Sequence, residues 1–179
     1  MLHKDPLIIA PETFQLVQQL QTLPELQNFY LVGGTALALQ LGHRNSIDID
    51  LFIQTDFNDD TIVNLLNMIY EFKEIFRRKN TIISLVNNIK TDFIKHNYPF
   101  ILPPITEEGI SFLSKEDITA MKFHAIIQSG RRLKDFIDIY YLLQHFSMQQ
   151  MIDFFTKKYR VEVNSCSFLV FQHINNYLN

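Results

Sequence analysis

The chain has 179 residues, of which 47% are hydrophobic and 20% are charged, and its net charge is −3 at pH 7. This composition is ordinary for a globular protein and excludes a dedicated, strongly basic nucleic-acid coat. The single cysteine, Cys166, excludes an internal disulfide framework and a cysteine-rich zinc site. Since no apolar run could cross a bilayer and the N-terminus lacks signal-peptide features, we expect a cytoplasmic protein without a membrane partner.

Hydrophobic periodicity divides the chain into a mixed first part and a helical second part. This order predicts an α+β fold, with a mixed sheet flanked by helices and then a helical C-terminal part. We therefore expect a core over residues 1–110 and a helical subdomain over residues 111–179. The elements predicted up to this boundary are helices over residues 11–23, 35–41 and 59–70, with Asp59 or Asp60 as the cap of the third, and strands over residues 29–32, 47–53, 74–78, 81–86, 89–94 and 110–113.

The most informative segment is a glycine pair followed, after thirteen intervening residues, by two carboxylates. Gly33 and Gly34 come directly after a strand, where glycine lets backbone N–H groups approach a phosphate and the next helix adds its dipole. Asp48 and Asp50 lie two positions apart in a strand pattern, so their side chains point to the same side and repel each other. Magnesium prefers oxygen ligands and would relieve this repulsion.

Each of these two motifs has an ordinary interpretation when it stands alone. A glycine pair is most often only a turn, and an Asp-Ile-Asp string is most often an exposed strand edge. Their combination at this spacing is much more specific, because a phosphate cradle beside metal-binding carboxylates is what nucleoside triphosphate chemistry requires.

A third carboxylate, Asp92, lies within the strand predicted over residues 89–94, which a turn at Asn87-Asn88 joins to its hairpin partner. From this segment alone, a solvent-facing position on an edge strand is the favoured interpretation. A functional carboxylate is the alternative.

The helical part begins with Ser114 as the expected cap, and Gly130 is a natural end for the first helix. Lys122 is the single formal charge within the apolar stretch 118–127 of this helix. Two interpretations carry equal weight. In the first, the aliphatic stem of Lys122 packs in the core and its ammonium extends to water. In the second, the ammonium contacts a triphosphate.

The next helix begins near Arg132 and carries Asp135 and Asp138 on one face. Arg131 and Lys134 are the cations that could pair with them locally. A cation four residues before the acid is the less favourable order, and exposed helix pairs of this kind contribute only about 0.3–0.5 kcal/mol. Local stability therefore does not account for the arrangement.

Two strings of this sequence resemble those of a known family. GGTALALQLGHRNSIDIDLF and MKFHAIIQSGRRLKDFIDIYYLL are similar to sequence blocks of the nucleotidyltransferase AbiEii/AbiGii toxin family, within the polymerase-beta-type nucleotidyltransferase superfamily. The resemblance implies metal-dependent transfer of a nucleoside monophosphate from an NTP to an acceptor hydroxyl. It also implies a toxin of a toxin–antitoxin or phage-defence system, with a cognate antitoxin as a partner.

The sequence leaves the acceptor open. RNA such as the acceptor end of tRNA, a protein hydroxyl, and a small molecule such as an aminoglycoside would all fit. The rival interpretation is a catalytically degenerate module of the same fold that binds nucleotides or proteins, and the intact carboxylates argue against it.

The resemblance also implies roles for individual residues. Asp48 and Asp50 would hold two Mg²⁺ ions, for which Mn²⁺ is an alternative, and the third carboxylate would activate the acceptor hydroxyl. Asp92 is the only acidic residue between Glu74 and Glu107 and is therefore the candidate. The residues expected to contact the nucleotide are Gly33, Gly34, Thr35, Arg44, Lys122, Arg131 and Arg132, although Arg44 is equally well explained as a solvated turn residue. One or both of Asp135 and Asp138 would join Lys122 in the catalytic cleft.

Overall fold

The structure, a computed structural model, describes residues 1–161, so residues 162–179 of the predicted helical subdomain, Cys166 among them, lie outside the described residues. Within residues 1–161 the helices are α1 (Pro11–Thr22), α2 (Gly33–Leu41), α3 (Asp59–Ile69), α4 (Lys115–Ser129), α5 (Leu133–Leu142) and α6 (Met148–Tyr159). The strands are β1 (Tyr30–Val32), β2 (Ile49–Ile53), β3 (Phe72–Arg78), β4 (Thr81–Val86), β5 (Ile89–Lys95), β6 (Ile105–Glu107) and β7 (Ile110–Phe112).

All of the described strands belong to one mixed sheet in the order β3-β4-β5-β2-β1-β7-β6, so the predicted fold class is confirmed. The hairpins β3–β4, β4–β5 and β6–β7 are antiparallel, as is the pair β1–β2. The two remaining pairs, β2–β5 and β1–β7, are parallel. Since β2 and β5 lie in the middle of the sheet, the strands with the predicted carboxylates are interior strands.

The β4–β5 hairpin forms where the asparagine pair predicts a turn. Asn87 and Asn88 have φ values of 49° and 64°, a left-handed conformation that asparagine tolerates better than most residues. The two strands then pair in register from Val86 and Ile89 onward. This short turn fixes which residues of β5 point to each face of the sheet.

Three local predictions are corrected by the structure. The strand predicted over residues 47–53 begins only at Ile49, and Ile47 is 55% exposed. The cap of α3 is Asn58, whose side chain accepts from Thr61 N, while Asp59 and Asp60 lie in the first helical turn. The short strand β6 was not predicted, because its three residues directly follow a proline pair and carry no alternating pattern.

The chain divides into two compact units. The first comprises residues 1–97 and 104–112 and contains the whole sheet with α1 to α3. The second comprises residues 98–103 and, among the described residues, 113–161. The boundary predicted from the sequence lies at residue 110 and stays a prediction. None of the helices within residues 1–161 is long and apolar enough to span a membrane.

The second unit is organised around a fully buried ion pair. Lys158 Nζ lies 2.7 Å from Asp117 Oδ1, and both side chains are 0% exposed. Asp117 also accepts from the backbone N–H groups of Ile101 and Leu102 and from the Ser114 hydroxyl. These additional hydrogen bonds offset the cost of removing the carboxylate from water and tie segment 98–103 to the first turn of α4.

Candidate active site

The parallel pair β2–β5 brings two of the predicted carboxylates together. The register places Asp50 directly beside Asp92, and residues paired in register on neighbouring strands present their side chains to the same face. Because β5 is an interior strand and Asp92 is only 6% exposed, the interpretation of Asp92 as a solvent-facing edge residue is wrong. Asp48 lies in the loop that enters β2, two residues before Asp50.

A lysine neighbours these carboxylates. Lys90 Nζ lies 2.7 Å from Asp92 Oδ2, with both residues on β5. Burial by itself would lower the pKa of the Lys90 ammonium, but the hydrogen bond to Asp92 and the negative charges of Asp92, Asp50 and Asp48 together raise that pKa. The ammonium therefore stays protonated at neutral pH and partly offsets the repulsion among the carboxylates.

The second oxygen of Asp92 is in an unusual position. Asp92 Oδ1 is buried and has no hydrogen-bond partner within residues 1–161. An unsatisfied buried polar atom costs about 1–3 kcal/mol, and more when it carries charge, so such atoms in folded proteins call for an explanation. A bound cation would satisfy this oxygen.

The glycine turn lies against β2. Val32 pairs with Asp50 across β1 and β2, so Gly33 begins α2 beside the same carboxylate. Gly33 has φ of +70°, and a Cβ at this position would collide with Asp50 Oδ2. Only glycine combines this left-handed backbone with the close approach of a carboxylate. The first turn of α2 begins without a side-chain cap from Val32, which leaves its N-terminal end suited to an anion.

Arg44 packs over the second glycine. A Cβ on Gly34 would collide with Arg44 Nη2, so the guanidinium lies against the start of α2. Arg44 Nη1 also donates to the carbonyl of Asn45 at 2.8 Å, which holds the side chain across the loop. The structure thus places Arg44 beside the glycine turn, and its predicted contact with a nucleotide stays a prediction.

Thr35 faces inward. Its side chain is buried, its hydroxyl donates to the carbonyl of Asp48, and Oγ1 lies 2.8 Å from Ser46 Oγ. A hydroxyl engaged in this way fixes the loop that carries Asp48. This geometry favours a positioning role for Thr35 over the direct phosphate contact predicted from the sequence.

The donor set of this face suits a hard divalent cation. Carboxylate oxygens are the ligands that Mg²⁺ and Mn²⁺ prefer, and the unsatisfied Asp92 Oδ1 fits a metal ligand. Within residues 1–161, no three acidic, histidine or cysteine side chains are already gathered into a metal-binding group. Asp92 is instead engaged by Lys90. The roles of Asp48, Asp50 and Asp92 as metal ligands stay predictions.

The second unit contains the other predicted site residues. Lys122 is 7% exposed, and its ammonium lies 2.7 Å from both Asp135 Oδ1 and Asp138 Oδ2. The interpretation that Lys122 extends to water is therefore wrong. Both aspartates point from α5 to the same lysine of α4, so both belong to one buried charge cluster. The predicted contact of Lys122 with a triphosphate is not tested by this geometry.

The two arginines before α5 differ from this buried cluster in exposure. Arg131 and Arg132 are both exposed, and Arg132 Nε lies 3.5 Å from Asp135 Oδ2. That oxygen is buried and lacks a hydrogen-bond partner in the described part of the chain. The predicted contacts of Arg131 and Arg132 with a nucleotide stay predictions.

Sequence reasoning missed two residues of the first unit. Lys90 stands two positions before Asp92 in a predicted strand, which is the same-face spacing that singled out Asp48 and Asp50. Applying this rule to cations as well as acids would have identified Lys90. Ser46 had no comparable signal, because its contact with Thr35 depends on how the loop folds back onto α2.

Comparison with known proteins gives a family match and one curated relative. The family model described as nucleotidyl transferase AbiEii toxin, type IV TA system, matches residues 15–167, which confirms the resemblance predicted from the sequence. An uncharacterised protein of Aquifex aeolicus (strain VF5) is 31% identical over 158 residues, which cover 85% of this chain and 76% of that protein.

Solved structures share the fold at low sequence identity. The antibiotic-resistance factor ANT(2'')-Ia superposes with a TM-score of 0.58 at 12% identity, covering 93% of this chain and 95% of that one. An antigenic nucleotidyltransferase-like protein from Paracoccidioides brasiliensis gives 0.58 at 17% identity, with 96% and 89% covered. The Megavirus polyadenylate synthase gives 0.55 at 17% identity over 81% of this chain, which spans only 34% of the viral protein. These similarities establish the nucleotidyltransferase fold alone.

We predict that Gly33→Ala disrupts the face that carries the carboxylates. The added Cβ would displace the Asp50 carboxylate, so binding of an NTP with Mg²⁺ should fall at least about tenfold, a loss of roughly 1.4 kcal/mol. The matched control is Gly109→Ala, since Gly109 also has positive φ (+76°) but its Cβ would lie 3.7 Å from the nearest atom, Gln18 Nε2. Both variants bear the left-handed strain, and titration calorimetry should show weakened binding only for Gly33→Ala. Equal binding by the two variants would contradict the assignment.

We also predict that Lys122→Met destabilises the protein by about 3–5 kcal/mol, because it leaves Asp135 and Asp138 buried without their shared cation. Urea unfolding measures this loss, and the exposed Lys134→Met serves as the control, with an expected change within about 0.5 kcal/mol. Adding Asp135→Asn and Asp138→Asn to Lys122→Met should recover part of the stability. A Lys122→Met variant as stable as the control would contradict the importance of the ion pairs.

Proposed function

We propose that this chain, which belongs to the nucleotidyltransferase AbiEii toxin family of type IV toxin–antitoxin systems, is a metal-dependent enzyme that transfers a nucleoside monophosphate from an NTP to an acceptor hydroxyl. The family and the fold support a transferase. The metal, the nucleotide and the acceptor are parts of our proposal.

One observation carries the proposal. The sheet register sets Asp50 beside Asp92, and the glycine turn that begins α2 abuts the same carboxylate. An uncapped helix N-terminus, which suits an anion, and two carboxylates are therefore adjacent within a single unit. The carboxylates repel each other, so their proximity does not stabilise the fold by itself.

Different residues of the first unit would bind the metal ions and the phosphates. Asp48, Asp50 and Asp92 would hold the divalent ions, which when bound neutralise the charge of the triphosphate and of the oxygens that attack and leave. The backbone at Gly33 and Gly34 would hold the β- and γ-phosphates at the N-terminal end of α2, where the helix dipole favours negative charge.

The surrounding residues support this arrangement. Thr35 keeps the Asp48 loop in place through its hydrogen bond to the Asp48 carbonyl. Arg44, which lies against Gly34, would add positive charge on the phosphate side. For the second unit, the predicted roles of Lys122, Asp135 and Asp138 in catalysis and of Lys122, Arg131 and Arg132 in nucleotide binding stay predictions.

The reaction requires one bond to form and one to break. The oxygen of the acceptor hydroxyl forms a bond to the α-phosphorus, the bond from that phosphorus to the bridging oxygen breaks, and pyrophosphate leaves with the electron pair. The hydroxyl proton must pass to a base. Water is our candidate for that base, and Asp92 would activate the hydroxyl as a ligand of the ion beside it.

We propose RNA, including tRNA, as the acceptor and a cognate antitoxin as the cellular partner. The description of the family as a type IV toxin supports the second part directly. The fold alone does not select the acceptor, because its neighbours include both a polyadenylate synthase and an antibiotic-resistance factor.

Incubation of the purified protein with each α-labelled NTP, Mg²⁺ and total cell RNA tests this function. We expect label in the RNA with the wild-type protein and a loss of at least about a hundredfold with Asp50→Asn. Asp92→Asn should still bind NTP and Mg²⁺ through Asp48 and Asp50 but should fail to transfer, because the acceptor hydroxyl loses the carboxylate that activates it. Asp56→Asn is the matched control, since Asp56 is an exposed carboxylate of the same unit that pairs with Lys95, and it should keep full activity.

Other outcomes are informative. Transfer at the wild-type rate by Asp50→Asn would refute the assignment of the carboxylates. Label in protein or in a small molecule, and not in RNA, would identify a different acceptor. Metal-dependent NTP binding without transfer to RNA, protein or small molecules would support the degenerate module instead.

A further inference from the structure

A lysine lies on the same face of β5 as Asp92. Lys90 and Asp92 are two residues apart on β5 and share a face, and Lys90 Nζ lies 2.7 Å from Asp92 Oδ2. The charges of Asp48 and Asp50 act on the ammonium together with that of Asp92. The Lys90 ammonium thus contacts Asp92 and feels the charges of Asp50 and Asp48.

We propose that Lys90 is a tethered counter-ion of the metal site, which holds Asp92 in the free protein and is displaced when a divalent cation binds. This inference rests on the proposed function, because it takes Asp48, Asp50 and Asp92 as the metal ligands. It assigns Lys90 no contact with the reacting atoms. Its role is to set the affinity for the cation.

The exposure of the two partners supports displacement of the lysine. The Lys90 side chain is 42% exposed, whereas that of Asp92 is only 9% exposed. Lysine has a flexible four-carbon stem and a strongly hydrated ammonium, so Lys90 can move into water while Asp92 stays in the sheet. A divalent cation would gain Asp92 Oδ2 when the lysine leaves, and it would also satisfy the buried Oδ1.

Competition of this kind has a functional consequence. A free divalent cation must displace an attached positive charge that cannot diffuse away, so it binds weakly. A triphosphate brings negative charge that offsets the displaced ammonium, so the cation should bind more tightly together with the nucleotide. By thermodynamic linkage, the bound cation increases the affinity for the nucleotide by the same factor. Lys90 would thereby keep the carboxylates together without a metal and favour loading of the metal with its substrate.

Titration of the 179-residue protein with Mn²⁺ alone tests this role, with binding followed by calorimetry or by the Mn²⁺ resonance signal. Lys90→Met should bind Mn²⁺ roughly tenfold more tightly than the wild type, since one repelling charge is removed from a partly exposed site. Lys90→Arg keeps the charge and should stay within about threefold of the wild type. Lys95→Met, on the same strand but paired with Asp56, is the matched control and should leave the affinity unchanged.

Thermal unfolding provides a second measurement that does not depend on activity. Without metal, Lys90→Met should melt below the wild type, because the carboxylates lose their counter-ion. Saturating Mn²⁺ should raise its melting temperature by more than it raises that of the wild type. An unchanged or weaker Mn²⁺ affinity of Lys90→Met would overturn the role of Lys90.

Adding Asp50→Asn distinguishes this inference from the proposed function. If Asp50→Asn abolishes Mn²⁺ binding in both backgrounds while Lys90→Met and the wild type bind equally, the metal site stands and the role of Lys90 is refuted. If Lys90→Met binds Mn²⁺ tightly and adding Asp50→Asn does not change that affinity, the bound ion lies elsewhere. The role of Lys90 and the proposed metal site are then both refuted. Absence of Mn²⁺ binding by the wild type and Lys90→Met alike would refute the role of Lys90 but leave binding of the cation together with the nucleotide untouched.

Discussion

Repulsion between neighbouring carboxylates is the constraint around which the first unit is organised. The parallel pairing of β2 with β5 sets Asp50 beside Asp92 in the interior of the sheet, where the surroundings screen charge less than water does. A fold selected only for stability would place apolar or oppositely charged side chains at these positions. The chain keeps the acids and supplies Lys90 on the same face, so the free protein tolerates a charge arrangement that a divalent cation would complete.

The same physical problem is solved differently in the second unit. Lys122 faces Asp135 and Asp138, and Lys158 faces Asp117, with all five side chains largely buried. Burying a charge is expensive, and pairs of this kind persist only when the partners are close and the remaining atoms are hydrogen-bonded. Asp117 meets this condition through its backbone donors. Asp135 does not, since one of its oxygens lacks a hydrogen-bond partner within residues 1–161. The Lys122 cluster is therefore the better candidate for a role beyond stability.

The glycine turn links local conformation to the chemistry of the sheet face. Gly33 is required by two independent demands, a left-handed backbone and the proximity of the Asp50 carboxylate. The first turn of α2 then orders the loop before β2, because the Thr35 hydroxyl binds the Asp48 carbonyl. One turn of helix thus presents its N-terminal end and positions a carboxylate at the same time. Because a few neighbouring residues fulfil both roles, a short sequence motif is enough to identify this turn.

The sequence by itself determined the order of the principal elements, the fold class, the family and the strings in which the site residues lie. These properties depend on spacing along the chain, such as period-two alternation in β2, the asparagine turn at Asn87-Asn88 and the glycine pair before α2. Local pattern also identified Ser114 and Gly130 as the ends of α4, since caps depend on neighbouring backbone groups.

Only the tertiary structure decided the partners of the charged residues. Whether Asp92 lies at an edge or in the interior depends on which strand pairs with β5, and β2 is some forty residues earlier in the chain. The interpretation of Lys122 considered only the residues of α4, yet its ion-pair partners, Asp135 and Asp138, lie on α5. The strand predicted from residue 47 begins at Ile49 because the Asp48 carbonyl is bound by Thr35. Electrostatic interactions and hydrogen bonds depend on distance in space, which residue spacing does not encode once the chain folds back on itself.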